Sequence, residues 1–91
     1  MPEPLPALVA VVEDEDTLRE AVGLSLRREG HRVGLHADGA TAWRSFEATL
    51  PDLAILDIGV PLVDGLDLCR RLRGRSEALP IIFVTSREDE F

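Results

Sequence analysis

Ala7-Leu8-Val9-Ala10-Val11-Val12-Glu13-Asp14 is the stretch from which the fold can be read. Six apolar residues run without a break and stop at two carboxylates. An uninterrupted run, as opposed to an alternating one, marks a strand covered on both faces, the usual state of a parallel sheet between helical layers. It is the longest apolar run in the chain and far short of the ~20 residues that cross a bilayer. Leu53-Ala54-Ile55-Leu56, ending at Asp57, repeats the pattern. Ile81-Ile82-Phe83-Val84-Thr85, opened by Pro80, repeats it again.

Between these runs the apolar period changes to that of a helix. Asp16 or a neighbour is placed to cap a helix whose Leu18, Ala21, Val22, Ser25 and Leu26 share one face, and Gly30 stands where a helix ends. Val33, Leu35 and Ala37 alternate with Arg32, Gly34 and His36, which predicts a strand at a sheet edge. Asp38-Gly39 leads into a second helix with Ala42, Trp43, Phe46 and Leu50 inward, stopped by Pro51. Asp64-Gly65 leads into a third, with Leu66, Cys69 and Leu72 inward and Gly74 at its close. Ser86-Arg87-Glu88-Asp89 has the spacing of a capping box for one more helix. Strands and helices alternate throughout, so the expected fold is α/β: a parallel sheet with helices on both faces and right-handed crossovers. Beyond a short lead carrying Pro2, Pro4 and Pro6 there is no linker or repeat, and residues 1–91 read as a single domain.

Composition narrows the function. Ninety-one residues, 45% hydrophobic and 30% charged, suit one small domain and not a disordered tail. The net charge is −7, and the ten cations, all arginine, are scattered from Arg19 to Arg87. Without a basic stripe, direct nucleic-acid binding by this chain is not expected. The lone Cys69 forms no internal disulfide, and no signal peptide or membrane segment is visible, so a reducing, cytoplasmic setting is expected.

The chemistry lies at the strand ends. In open α/β sheets ligands bind beyond the carboxyl ends of the strands, where the strand order reverses. Glu13 and Asp14 follow one buried run, Asp57 closes the next, and Thr85 closes the last. If the first two of these strands are neighbours, three carboxylates converge and repel unless a cation or proton intervenes. Oxygen-only ligands favour Mg²⁺ over Zn²⁺, and an ionised aspartate beside Mg²⁺ is a nucleophile toward phosphoryl groups. The plainer alternative is that Glu13, Asp14, Glu15 and Asp16 merely favour a helix N-terminus and that Asp57 caps a turn. The coincidence of acids at two strand ends and a hydroxyl at a third argues for the functional reading. Asp64 reads as a cap, Gly65 as a packing or turn residue, His31 and His36 as surface, and Cys69, Trp43 and Phe46 as core.

Taken in order, Val11-Val12-Glu13-Asp14-Glu15, Pro51-Asp52-Leu53-Ala54-Ile55-Leu56-Asp57, Pro61-Leu62-Val63-Asp64-Gly65-Leu66 and Pro80-Ile81-Ile82-Phe83-Val84-Thr85-Ser86 resemble the receiver domains of bacterial two-component response regulators. The style of the helices, in Leu18-Arg19-Glu20 and Leu68-Cys69-Arg70-Arg71-Leu72-Arg73, is most similar to receivers attached to winged-helix transcription factors. The resemblance implies a flavodoxin-like sheet of order 2-1-3-4 in this chain, which stops before the family's fifth strand and last helix. It implies Asp57 as phosphoacceptor, and Glu13, Asp14, Asp57 and the backbone carbonyl of Gly59 as Mg²⁺ ligands. It implies Thr85 as the switch hydroxyl. The lysine and the aromatic reporter that family members carry on the later strand have no counterpart, since the chain has no Lys and no Tyr.

The implied function is a phosphorylation-dependent signalling module, not an enzyme beyond slow self-dephosphorylation. A sensor histidine kinase is the expected donor, and a DNA-binding output domain outside this chain is the expected target. One alternative is an interaction module that keeps the fold without the phosphorylation. Another is an aspartate-nucleophile phosphohydrolase, which Gly59 at the second position after Asp57 and the lack of lysine disfavour. The apolar last strand, with no lysine or proline to guard its edge, predicts self-association, as a homodimer or by exchange of elements.

Overall fold

The computed structural model describes residues 6–60 and 62–84. Its elements alternate as the sequence indicates: β1 (Leu8–Val12), α1 (Asp16–Arg28), β2 (Arg32–His36), α2 (Gly39–Ala48), β3 (Leu53–Asp57), α3 (Gly65–Arg75) and β4 (Ile81–Val84). The four strands form one parallel sheet of order β2-β1-β3-β4. β1 and β3, the two acid-terminated strands, are central neighbours in the register Val12↔Leu56. β2 lies at the edge, as its alternating pattern requires. The flavodoxin-like arrangement implied by the resemblance is the one observed.

The pleat sorts the strand side chains between two layers. Ala10, Val12, Ala54 and Leu56 face a core shared with Ala42 and Phe46 of α2 and with Leu68 and Leu72 of α3. On the opposite face, Val11, Ile55, Ile82 and Val84 with Leu18 and Val22 of α1 line a groove of about 360 Å³. Every one of the eight core side chains named first is 2% exposed or less, so this face carries most of the apolar burial that holds the sheet together.

Flanking residues close the first turns of α2 and α3 and the last turn of α1. The side-chain cap expected at Asp16 or a neighbour is absent: Glu15 is the N-cap of α1 and makes no side-chain cap bond. Asp38 accepts from Thr41 N–H at 2.7 Å and Asp64 accepts from Asp67 N–H at 2.8 Å, each filling one orphan donor of a first turn. α1 closes in a Schellman arrangement: Gly30 N–H donates to Arg27 O at 2.9 Å and His31 N–H to Leu26 O at 3.1 Å. Gly30 adopts φ 91°, which costs glycine nothing and a side-chain-bearing residue a great deal.

Several expectations are corrected. In α3 the buried residues are Gly65, Leu68 and Leu72, whereas Leu66 is exposed and Cys69 only half-buried against the core. Gly74 lies inside α3, which runs to Arg75 and is followed by Ser76 as its C-cap. In α1, Ala21 and Ser25 are exposed, and Gly23 is the buried residue, because the helix leans toward β2 and places Gly23 against Leu35. His36 is not a surface residue: its ring is half-buried and meets Phe46 edge-on at 5.7 Å. β4 is covered less than a central strand, with Ile82, Phe83 and Val84 exposed, since among the described residues it has β3 as its sole neighbour. Ser86–Asp89 lies outside the described residues.

Candidate functional site

Glu13 and Asp14 are the first residues beyond β1, and Asp57 is the last of β3, so the parallel register of two adjacent strands carries them to the same edge. One carboxylate oxygen from each can be chosen so that all three lie within 4.8 Å of one another. The sequence reading brought these residues together, and the fold does so too. Glu13 and Asp57 are buried, at 3% and 4% exposure, while Asp14 is open to solvent. The site is thus a recess with a single accessible carboxylate at its lip.

The two buried acids are held by specific backbone contacts. Glu13 N–H donates to His36 O at 3.0 Å, which extends the β1–β2 ladder one residue past the strand. Glu15 N–H donates to Glu13 Oε2 at 3.0 Å. Asp57 Oδ1 accepts from Gly59 N–H at 3.1 Å, so the turn after β3 orients the carboxylate. Gly65 N–H closes that turn onto Ile58 O at 3.2 Å. Gly65 itself is fixed by crowding: a Cβ there would stand 2.4 Å from Asp57 O. The packing role expected of Gly65 and the capping role expected of Asp64 are both present.

Glu13 carries the electrostatic burden. Its pKa is pushed up from 4.5 to about 7, chiefly by burial and then by the charge of Asp57, with the Glu15 N–H working in the other direction. Its Oε1 is buried and has no hydrogen-bond partner among the described residues. Across the cluster it faces further carboxylates, which bond to it only through a shared proton. A proton or a cation relieves this arrangement. Three carboxylates with no His or Cys among them form an oxygen donor set, and the orphaned Oε1 is an unused ligand atom, so the residues fit a hard divalent cation such as Mg²⁺.

Two contributors were not singled out from sequence. Arg19 donates to Glu13 O at 2.9 Å and to Asp16 Oδ1 at 2.6 Å. The Asp16–Arg19 spacing of three on a first helical turn was the available signal. The His36 carbonyl follows from strand pairing and has no signature of its own. Thr85 lies outside the described residues.

The parallel α/β sheet thus has the flavodoxin-like order, with an acidic recess at the carboxyl ends of its two central strands. The chain belongs to the response regulator receiver domain family, whose model matches residues 9–91. The transcriptional regulatory protein AfsQ1 of Streptomyces coelicolor is 43% identical over 86 residues, which are 94% of this chain and 37% of that protein. The transcriptional regulatory protein CseB of Streptomyces avermitilis is 44% identical over 81 residues, 89% of this chain and 34% of that protein. The chain therefore spans little more than a third of the length of these relatives. Among solved structures, a response regulator from Chloroflexus aurantiacus superposes with a TM-score of 0.84 at 36% identity, covering 93% of this chain and 71% of that one. The response regulator TrrA of Thermotoga maritima, in complex with Mg²⁺-BeF, does so with 0.83 at 30%, covering 90% and 71%. Among the described residues no helix is long and apolar enough to cross a membrane.

Proposed function

We propose that this chain is the phosphoacceptor unit of a two-component signalling protein, in which Asp57 takes a phosphoryl group from a phosphohistidine of a sensor histidine kinase. One observation carries the reading: three carboxylates lie within 4.8 Å at the ends of two adjacent strands, in a chain of the receiver family. Glu13, Asp14, Asp57 and the backbone carbonyl of Gly59 would hold Mg²⁺, and the Mg²⁺-BeF complex of TrrA supports that choice of metal. When bound, the metal supplies positive charge against both the clustered carboxylates and the phosphoryl oxygens.

The residues of the chain do the rest. The Gly59 N–H orients the Asp57 carboxylate inside the recess, and the close approach of Gly65 fixes the Asp57 backbone carbonyl behind it. A carboxylate oxygen of Asp57 forms the new O–P bond as the P–N bond of phosphohistidine breaks. The departing imidazole nitrogen keeps the electron pair and takes a proton from water. Thr85 follows Val84, the register partner of Asp57, and is assigned the hydroxyl that hydrogen-bonds the acquired phosphoryl group. Residues 1–91 act in this reading as one receiver unit that governs a DNA-binding output elsewhere in a longer cytoplasmic regulator. AfsQ1 and CseB, as transcriptional regulatory proteins about three times as long as the matched segment, support that assignment. A second copy of the chain is the other expected partner.

Incubation with acetyl phosphate and Mg²⁺, followed by intact mass spectrometry, tests the reading. One hydroxylamine-labile phosphoryl adduct is expected, lost without Mg²⁺ and lost in Asp57→Asn. An adduct that persists in Asp57→Asn overturns the assignment of the nucleophile. Complete absence of an adduct in the unaltered chain favours a phosphorylation-independent interaction module.

A further inference from the structure

We infer that Arg19 is a positioning residue for the acidic cluster: it clamps the backbone at Glu13 so that the Glu13 carboxylate stays aimed at Asp57 and Asp14, and in this way sets the cation affinity of the site. The inference rests on the proposed reading of the cluster as a metal site. Arg19 stands in the first turn of α1 with its side chain only 15% exposed. One guanidinium nitrogen donates to the Glu13 carbonyl at 2.9 Å, and the other donates to Asp16 Oδ1 at 2.6 Å. The planar fork thus ties the end of β1 to the start of α1 across the turn that carries Glu13 and Asp14.

Glu13 is held at three points. Its N–H bonds His36 O, its Oε2 accepts from Glu15 N–H, and its carbonyl accepts from Arg19. Only the last of these depends on another residue's side chain. Together they leave Oε1 buried and without a partner. Three clustered carboxylates relax most easily by turning one of them away, and the residue to turn is the one whose charge is least comfortable. A charge-assisted bond to the backbone at that residue opposes the movement and keeps the ligand ordered before the cation arrives.

A clamp and a simple charge predict opposite signs. If Arg19 acted only as a positive charge near the cluster, removing it would strengthen binding of a divalent cation. If it acts as a clamp, removing it weakens binding, because the ligand must then be ordered by the cation itself. Arg19→Met keeps the length and packing of the stem without a donor, and Arg19→Lys restores a donor and the charge.

Mn²⁺ titration of the 91-residue chain, read by the paramagnetic resonance of free Mn²⁺, measures affinity without any phosphoryl chemistry. Arg19→Met is expected to weaken Mn²⁺ binding by about 10-fold, the low end of the range seen when a group that orients a metal ligand is lost. Arg19→Lys is expected to recover most of that loss. Asp16→Ala, which removes the second anchor of the fork and leaves the Glu13 contact, is expected to weaken binding by less than Arg19→Met does. Thermal melts confirm that each variant is folded, and Arg19→Gln, too short to reach the carbonyl, replaces Arg19→Met if that variant is not. Unchanged or tighter binding after loss of the clamp overturns the inference. Failure of the unaltered chain to bind Mn²⁺ at all overturns instead the reading of the cluster as a metal site.

Discussion

Glu13 is where the local sequence and the fold disagree most, and it sets the pH behaviour of the site. Its folded pKa is raised from 4.5 to about 7, so its contribution to stability is full below pH 4.5 and is lost as pH rises through 7. His36 works in the opposite direction, since burial lowers its pKa from 6.5; its contribution is full above that value and is lost as pH falls. The two slopes oppose each other in mildly acidic solution, and Glu13→Gln is expected to leave only the rise due to His36. A divalent cation binds the ionised carboxylates of the folded state and stabilises it by mass action. The gain in Tm from Mg²⁺ should therefore be larger near pH 8 than near pH 5. Equal gains at both pH values, measured by thermal melts, would count against Glu13 as a ligand. The three acids were legible from sequence because each closes an uninterrupted apolar run. The orphaned Oε1, the Arg19 clamp and the half-buried His36 were not, because they depend on how a turn folds back over a neighbouring strand.

At the scale of elements, the order of strands and helices was legible, whereas the thin cover of β4 and part of the buried faces of α1 and α3 were not. Leu66, Leu68, Cys69 and Leu72 allow two apolar faces on α3, and spacing alone does not choose between them. Gly65 chooses: it must lie against the Asp57 carbonyl, and the positions three and seven beyond it are Leu68 and Leu72. The helix thus takes its rotation from the contact that also steadies the candidate nucleophile. Gly65→Ala would bring a methyl group to 2.4 Å from Asp57 O, which only a backbone shift can relieve. We expect a loss of roughly 1–3 kcal/mol, as for other overpacked sites, together with slower labelling of Asp57 by acetyl phosphate. Asp64→Ala removes the cap from Asp67 N–H and should cost about 1 kcal/mol without slowing labelling to the same degree. Urea unfolding and labelling rates, measured on both variants, separate the two effects. If Gly65→Ala labels as fast as the unaltered chain, α3 does not position Asp57.

At the scale of the whole molecule, coverage of the sheet is uneven. The face under α2 and α3 is sealed, while Ile82, Phe83 and Val84 of β4 stand 49%, 38% and 38% exposed. Among the described residues β4 bonds to β3 on one side only, so its other edge presents a row of backbone donors and acceptors beside apolar side chains. No charged residue and no proline interrupts Ile81–Val84, and these are the usual guards of a sheet edge. Each apolar side chain taken out of water contributes about 25 cal/mol per Å². Two copies of this polypeptide meeting edge to edge would cover the strand from both molecules and satisfy its backbone groups. The net charge of −7 on each copy opposes the meeting, and salt weakens that opposition. Self-association of the 91-residue chain should therefore rise with both protein concentration and ionic strength, a combination that an ion-paired interface would not show. Ile82→Lys places a charge on a half-exposed position of the edge strand and should return the chain to a monomer, with a thermal melt to check that the groove it lines beside α1 stays folded. Sedimentation equilibrium at low and high salt decides the matter. A unaltered chain that remains monomeric at high concentration in high salt means that the β4 edge is not an assembly surface.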